Sequence, residues 1–223
     1  MSLRLFHVGA SSAMRVGKAI QPQLVKSMSL GSATNLGKVL RKELKHDLDS
    51  GSSEMPEDLA EIKSILEERF TIHDTSGSAE VKLVASNGVV VKFDIRDSLD
   101  PEMFDTADDE EPEEDSQESV SVGFTALIEK GSKTLRFRCS ASEQVTIEAV
   151  EFVESGLSAD DEAKLFVGPA FEELDQELQD AFHDYLAAQG VDDTVANFVA
   201  MYADFKEQQE YTKWLADVEA FTK

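Results

Sequence analysis

The chain has 223 residues, 41% apolar side chains and a formal net charge of −24. This apolar content is enough for a buried core, but no apolar run approaches the ~20 residues that a bilayer-spanning helix needs. With a single cysteine, Cys139, the chain has no intrachain disulfide. A body this acidic repels nucleic-acid phosphates, which argues against a basic nucleic-acid groove and predicts attraction of basic proteins.

The beginning of the chain has the opposite charge from the rest. Seven basic residues and no acidic residue precede Glu43, and several serines lie among them. A basic, serine-containing and acid-free composition is typical of a mitochondrial transit peptide. We therefore predict a transit peptide over residues 1–32, with cleavage between Ser27 and Thr34, and one folded domain over residues 33–223. A disordered basic tail is the alternative.

Two helices are predicted before the first strand. Apolar residues at helical spacing run from Leu36 to Leu48, with Asn35 as the candidate cap and residues 49–51 as the stop. A second, shorter pattern follows Pro56 and consists of Leu59, Ile62, Leu66 and Phe70.

From Phe70 onward the pattern changes to alternating and β-branched residues punctuated by short turns. The dipeptide Asn87–Gly88 separates two such runs, which is a strong hairpin signal. Six or seven strands joined in series predict a meandering antiparallel sheet. The predicted strands lie at residues 70–75, 79–86, 88–97, 119–130, 133–140, 143–155 and, as the seventh, 163–167.

Two more helices are predicted after the strands, which completes the order of an α+β fold. The first begins at Pro169, carries one apolar stripe over residues 171–186 and stops at Gly190. The last covers residues 192–221 and is rich in aromatic side chains. Because these aromatics exceed what one cover helix needs, we expect some of them to be buried in an oligomer.

The residues show no recognisable catalytic or metal-binding pattern. None of the four histidines has a metal-ligand neighbour at helical or strand spacing, and nucleophile and dinucleotide motifs are absent. Carboxylates are so frequent that no single pair is informative. The densest acidic cluster lies in a predicted loop, residues 100–118, whose composition favours a solvated, disordered segment. We predict no enzyme, no metal and no cofactor.

Three stretches of the chain carry a resemblance to a known family. FVGPAFEELDQELQDAFHDYLAAQGVDD, residues 166–193, and KEQQEYTKWLADVEAFTK, residues 206–223, are the more specific ones. Residues 79–130 add a hairpin, a strand, a proline-containing acidic loop and another strand in that order. The chain resembles the mitochondrial glycoprotein family, acidic mitochondrial matrix proteins whose animal members are also described as complement- and hyaluronan-binding proteins.

The resemblance implies an α+β fold with a seven-stranded, highly twisted antiparallel sheet, flanked by one N-terminal and two C-terminal helices, in a doughnut-shaped homotrimer. It also implies a non-enzymatic adaptor or chaperone of the mitochondrial matrix that supports RNA metabolism, translation and oxidative phosphorylation. Its expected partners are basic ribosomal or RNA-processing proteins, without direct nucleic-acid contact. Two alternatives stay open: an acidic histone-chaperone-like protein outside mitochondria, and an enzyme using clustered carboxylates and a divalent metal.

Two sets of residues are candidates for protein contacts. We expect the apolar stripe over residues 171–186 to cover the sheet. We expect the last helix, together with residues 36–48, to hold the trimer. The candidate partner-binding residues are acidic: Asp105, Asp108, Asp109, Glu110, Glu111, Glu113, Glu114, Asp115, Glu172, Glu173, Glu177 and Asp180. The candidate trimer-interface residues are apolar: Leu40, Leu44, Tyr211, Trp214, Leu215 and Phe221.

Overall fold

The computed structural model describes residues 30–51, 54–99, 121–154, 156, 166 and 168–223. The predicted loop at residues 100–118 and nearly all of the predicted leader lie outside these ranges. The described helices are α1 (Leu30–Asp49), α2 (Glu57–Glu67), α3 (Gln176–Ala188) and α4 (Asp193–Phe221), with a 3₁₀ turn, Phe171–Glu173, before α3. The described strands are β1 (Phe70–Asp74), β2 (Glu80–Ala85), β3 (Val89–Leu99), β4 (Ser121–Lys130), β5 (Lys133–Ala141) and β6 (Val145–Glu154).

The six strands form one antiparallel sheet in sequential order, from β1 at one edge to β6 at the other. Across its centre, Val91 is in register with Ala126, and Ala126 with Phe137. The predicted hairpin at Asn87–Gly88 is confirmed, since Gly88 has a φ of 87°, which a residue without a Cβ adopts at little cost. The predicted meander is therefore present through its first six strands.

One face of the sheet is buried beneath helix α4. In β4, every second residue from Val122 to Ile128 is buried, as expected for a strand with one covered face. Phe198 and Tyr202 of α4 cover this face and meet the ring of Phe93 edge-on, with centroid distances of 6.5 and 6.4 Å. Each fully buried side chain of this kind contributes ~1.5–3 kcal/mol to stability.

The N-terminal side of the sheet carries two helices, which confirms the two predicted from the residue pattern and corrects the single N-terminal helix implied by the resemblance. Helix α1 begins at Leu30, so the prediction that Asn35 caps it is wrong. Helix α2 begins directly after Pro56, as predicted, and its residues Leu59 and Leu66 are fully buried in the core. Helix α2 contacts both β1 and α4, so it closes the core at the β1 end of the sheet.

The prediction of one continuous helix from Pro169 is also wrong. After the 3₁₀ turn the chain becomes extended at Leu174, with φ −73° and ψ 151°, and α3 begins only afterwards. Asp175 caps α3, because its carboxylate accepts a hydrogen bond of 2.9 Å from the backbone N–H of Glu177. The helix therefore begins at the cap Asp175 and not at Pro169, although the apolar spacing continues without a break through the 3₁₀ turn.

The predicted end of α3 and the predicted extent of α4 are both confirmed. Gly190 follows α3 with a φ of 94°, and α4 extends from Asp193 to Phe221. Asp192 caps α4 by accepting a hydrogen bond of 3.1 Å from the backbone N–H of Thr194. The first half of α4 packs on the sheet, and its second half packs on α1.

Beyond β6, the chain returns along the outer edge of the sheet. Ala170 forms an antiparallel bridge with Ala149. Gly168 lies so close to β6 that a Cβ added there would be 2.5 Å from the carbonyl oxygen of Val150. The predicted seventh strand, residues 163–167, lies largely outside the described residues. That strand, the homotrimer and the boundary between leader and domain stay predictions.

Candidate protein-binding surface

The exposed residues in and just before α3 form an acidic surface. We call it the α3 acidic surface. No lysine or arginine occurs between Phe171 and Ala188. It contains four of the predicted partner-binding residues, which the structure brings together. The other eight, between Asp105 and Asp115, lie outside the described residues. The α3 acidic surface consists of the exposed residues Glu172, Glu173, Asp175, Glu177, Asp180 and Asp184.

An aromatic cluster holds the α3 acidic surface on the sheet. The ring of Phe137 in β5 meets Phe182 edge-on at 6.0 Å and stacks with Tyr185 at 6.4 Å. Phe171 of the 3₁₀ turn is buried and contacts the rings of Phe182 and His183 at 6.3 and 5.8 Å. The predicted cover of the sheet by this stripe is thus confirmed. The carboxylates are consequently carried by a rigid element, which fixes their spacing.

Helix α1 and the second half of α4 pack side by side, and we call residues 35–49 and 207–221 the arm. Leu40 and Leu215 are buried within the arm, and Leu44 is half-buried. All three were predicted at the trimer interface. Because their surfaces are largely covered inside one chain, they stabilise the arm itself and offer little surface to another subunit.

Polar contacts fix the two helices of the arm at both ends. The buried carboxylate of Asp47 accepts hydrogen bonds from the side chains of Gln208 and Thr212. Near the other end, Arg41 donates from Nε to the carboxylate of Glu219 at 2.6 Å. Charge-assisted hydrogen bonds of this kind restrict the angle between the helices, so the arm projects in a defined direction.

The remaining predicted interface residues are exposed on the arm. Trp214 is 56% exposed and Phe221 is 92% exposed. Tyr211 stacks on Trp214 with a centroid distance of 6.2 Å and an interplanar angle of 21°. Exposed aromatic side chains that already pack against each other form a preorganised apolar surface, which is typical of contact with another protein.

A buried lysine joins α4 to the β1–β2 turn. Lys206 is 1% exposed, and its Nζ lies 2.5 Å from Asp74 and 2.9 Å from Glu210. Burial alone lowers the pKa of Lys206, but hydrogen bonds to Asp74 and Glu210 outweigh that effect and hold it above its ordinary value. The Tyr202 hydroxyl also donates to Asp74, at 2.7 Å, and the Glu210 carboxylate accepts from the backbone N–H of Gly77.

This cluster was not among the sites predicted from the sequence. A signal for it exists, because Lys206 follows the buried Phe205 and lies one helical turn after Tyr202. A lysine on the apolar side of a helix requires a carboxylate partner. Glu210 stands at the i,i+4 position, which the sequence displays, whereas Asp74 is far away in the chain and only the fold brings it near.

The second face of the sheet is open and carries charges of both signs. A cleft of about 640 Å³ crosses it, with Gly123 and Thr125 among its lining residues. Arg136 and Arg138 line it as well. Arg136 donates a hydrogen bond of 3.1 Å to Glu151, and Arg138 forms an ion pair with the same carboxylate at 3.1 Å. Because neighbouring strands pair these opposite charges, the cleft concentrates neither sign. The acidic character of the described surface is therefore carried mainly by the helices.

The single thiol of the chain is not accessible for nucleophilic chemistry. Cys139 is buried, and burial, with a smaller contribution from Glu148, raises the pKa of its thiol to about 12. Within the described ranges, no group of three or more His, Cys, Asp or Glu side chains is arranged to hold a metal ion. Among the same residues, no helix is long and apolar enough to cross a membrane.

Comparison with known proteins decides the family. The family model described as mitochondrial glycoprotein matches residues 40–222. The chain belongs to the mitochondrial glycoprotein family. The family named from the C-terminal motifs is thereby confirmed, and its name agrees with the predicted mitochondrial location.

The alignments with individual relatives cover most of the chain or only a part of it. Mitochondrial acidic protein mam33 of Schizosaccharomyces pombe is 30% identical, with 95% of this chain and 89% of that protein aligned. Mouse complement component 1 Q subcomponent-binding protein, a mitochondrial protein, is 28% identical over 64% of this chain and 57% of its own length. The alignment with the mouse protein thus spans little more than half of that relative.

Solved structures support the fold. The Trypanosoma brucei p22 protein has a TM-score of 0.63 and 23% identity, covering 86% of this chain and 100% of that one. A Leishmania major protein described as a sequence homologue of human p32 has a TM-score of 0.61 and 21% identity. At this identity the two structures confirm an α+β fold with an antiparallel sheet, and their similarity is limited to the fold.

Proposed function

We propose that this protein is a non-enzymatic acidic adaptor of the mitochondrial matrix that binds basic proteins as a homotrimer. One observation carries the proposal: six exposed carboxylates lie in and before α3, a segment free of lysine and arginine. A surface of one sign raises the association rate of oppositely charged partners by ~10–10³-fold. Membership of the mitochondrial glycoprotein family and the absence of a metal-ligand group among the described residues are consistent with it.

The proposed partners are basic ribosomal or RNA-processing proteins, so the protein supports mitochondrial RNA metabolism, translation and, through them, oxidative phosphorylation. Carboxylates repel RNA phosphates, and we therefore place RNA in such complexes only through its basic binding proteins. Contacts made by exposed charges weaken with salt, because the Debye length falls to ~8 Å at physiological ionic strength. A chaperone-like role follows from the same contacts, since covering the charges of a basic protein limits its unspecific binding.

The test is affinity purification of the tagged protein from its own mitochondria, with and without nuclease, at low and at high salt. The test variant carries Glu172→Gln, Glu173→Gln, Glu177→Gln and Asp180→Asn, and leaves Asp175 intact because it caps α3. The matched control removes the same charge from α2 and its C-terminal end, where four carboxylates are also exposed. It carries Glu57→Gln, Asp58→Asn, Glu61→Gln and Glu68→Gln.

We expect the wild-type protein and the α2 control to retain basic proteins through nuclease treatment and to release them in high salt. The α3 variant is expected to retain several-fold less. Equal losses in both variants would show that overall charge alone attracts the partners, which would remove the assignment to the α3 acidic surface. Recovery that depends on intact RNA, or partners that resist salt, would contradict the adaptor function itself.

A further inference from the structure

The open face of the sheet places side chains of five strands in one row. Every second residue of a strand faces the same side, and the register aligns His73, Lys82, Lys92, Thr125 and Arg138 on β1 to β5. Lys92, Thr125 and Arg138 also line the cleft on this face. Its volume of about 640 Å³ is within the ~300–1,000 Å³ of small-molecule sites.

The two lysines of this row differ in their partners. Lys82 and Lys92 are directly opposite each other on neighbouring strands, and like charges in that arrangement destabilise a sheet. Lys82 forms an ion pair of 2.7 Å with Glu80. Lys92 is half-buried and forms no ion pair with the part of the chain that the structure describes. Of the two cations, therefore, Lys92 is the one that still lacks a counter-ion.

Arg138 supplies further donors on the other side of Thr125. Its Nε lies 3.1 Å from a carboxylate oxygen of Glu151, and its Nη atoms form no hydrogen bond with the described residues. Lys92 and Arg138 are in register with Thr125 on the two strands that flank it, and neighbouring strands lie ~4.7–4.9 Å apart. An oxyanion above the Thr125 hydroxyl can accept hydrogen bonds from all three side chains.

A carboxylate lies a short distance along the cleft from this position. Gly123 precedes Thr125 by two residues of β4, which span ~6.6–6.8 Å. A Cβ added at Gly123 would lie 3.7 Å from the Cβ of Asp97. Asp97 is exposed and forms no ion pair within the described ranges. Since Gly123 has no side chain, the cleft continues from Thr125 past Gly123 to Asp97.

The other carboxylates of the cleft are paired or lie farther away. Asp94 forms an ion pair of 2.6 Å with Arg96, and Glu148 is on β6, across Arg138 from Thr125. With their ion-pair partners, the cleft residues comprise equal numbers of the two signs. The cations are Lys82, Lys92, Arg96, Arg136 and Arg138, and the carboxylates are Glu80, Asp94, Asp97, Glu148 and Glu151. Such a cleft attracts neither a simple anion nor a simple cation over distance, whereas a molecule with one charge of each sign is attracted at both ends.

We propose that this cleft binds a small zwitterion, with its oxyanion above Thr125 between Lys92 and Arg138 and its ammonium group at Asp97. The class comprises amino acids and phosphorylated amines, which carry an oxyanion and an ammonium group a few bonds apart. Both ends form charge-assisted hydrogen bonds, which are stronger than neutral ones. The site is on the face of the sheet opposite α3, so it is separate from the α3 acidic surface and does not depend on the proposed function.

The test titrates the isotope-labelled full chain with four probes and follows the backbone amide signals by nuclear magnetic resonance. Phosphoethanolamine and β-alanine carry both charges and differ in the oxyanion, whereas inorganic phosphate and ethanolamine each carry one end. We expect both zwitterions to shift amides of β3, β4 and β5, and the tighter of the two identifies the oxyanion. Each single-ended probe should bind ~10-fold more weakly, the effect of losing one charge-assisted contact.

Substitutions in the cleft assign the two ends. Lys92→Gln should weaken phosphoethanolamine binding ~10-fold. Lys82→Gln is the matched control, because it removes the same charge from the same row but from a lysine that Glu80 already neutralises. Asp97→Asn should lower the affinity for phosphoethanolamine to that for inorganic phosphate and leave inorganic phosphate unaffected. Gly123→Val retains every charge, fills the space between the two ends and should abolish binding of both zwitterions.

Several outcomes would overturn the inference. Equal losses in Lys92→Gln and Lys82→Gln would show general attraction to the basic row without a defined site. Inorganic phosphate that binds as tightly as phosphoethanolamine would remove the role of Asp97 and with it the zwitterion. Unchanged binding in a folded Gly123→Val protein would place the ligand outside the cleft. Absence of amide shifts with all four probes at millimolar concentration would refute the site, whereas the capture of basic proteins would be unaffected.

Discussion

Arg69 and Asp192 form a bidentate ion pair that joins the end of α2 to the start of α4. Nη1 of Arg69 lies 2.7 Å from Oδ2 of Asp192, and Nη2 lies 3.2 Å from Oδ1. Oδ1 also accepts a hydrogen bond from the backbone N–H of Thr194 at the first turn of α4. One carboxylate therefore both caps a helix and attaches it to the beginning of β1.

Replacing Asp192 by alanine removes both contacts. We expect a loss of ~1–2 kcal/mol in the free energy of unfolding, of which the helix cap supplies ~1 kcal/mol and the partly exposed ion pair the rest. Urea unfolding measures it. Asp217→Ala is the control, since Asp217 forms an exposed pair with Lys213 and we expect its removal to change stability by less than ~0.5 kcal/mol. Equal effects of the two substitutions would show that Asp192 has no special role.

The same carboxylate makes stability depend on acid pH. Burial tends to raise the pKa of Asp192, but hydrogen bonds and charge from Arg69 outweigh it and hold the pKa below its ordinary value. A group with a depressed folded pKa stabilises the protein fully above its unfolded pKa and loses that contribution as pH falls through its folded value. The stability difference between wild type and Asp192→Asn should be constant above pH ~5 and shrink below pH ~4, near the ordinary pKa of aspartate.

That pH series is checked by urea unfolding of both proteins at each pH. Asp217→Asn serves as the reference for general acid effects on the surface. A difference between wild type and Asp192→Asn that grows on acidification would have the wrong sign and would contradict the depressed pKa.

Replacing the buried Lys206 should lower the free energy of unfolding more than replacing any exposed lysine. Lys206→Met leaves the Asp74 and Glu210 carboxylates without their shared cation inside the structure. Removing one partner of a buried ion pair costs ~3–5 kcal/mol, and the partial exposure of both carboxylates places this case near the lower value. Lys213→Met is the matched control, because Lys213 is exposed and pairs only at the surface. Thermal unfolding that ranks the two variants equally would show that the buried cluster is not stabilising.

Cys139 should be unreactive in the folded protein. Burial raises the pKa of its thiol to about 12, and the thiolate is the nucleophilic form. We expect a disulfide reagent to label it at pH 8 only as fast as the protein opens, and at once in denaturant. Because the chain has one cysteine, Cys139→Ser provides the unlabelled control. Rapid labelling under native conditions would indicate an accessible thiol at this position.

The helices and strands were predicted correctly from the sequence where the local residue pattern agrees with the fold. The hairpin at Asn87–Gly88, the helix after Pro56 and the last helix were predicted correctly, because turn chemistry and apolar period act over a few residues. The restart of α3 at Asp175 was not, since its apolar spacing continues through the 3₁₀ turn. The clustering of acidic residues before and within α3 was likewise visible in the sequence, which is why four partner-binding candidates fall on one surface.

By itself, the sequence determined the class of the fold, the acidic character and the family, because apolar periodicity, charge and C-terminal motifs are properties of neighbouring residues. Only the tertiary structure decided that Leu40 and Leu215 are buried inside one chain while Trp214 and Phe221 are exposed. The apolar pattern of an amphipathic helix predicts that one face is covered, but it does not identify the element that covers it. It also decided that Asp74 meets Lys206. Such contacts join positions far apart in the chain, and no local pattern encodes the geometry that brings them together.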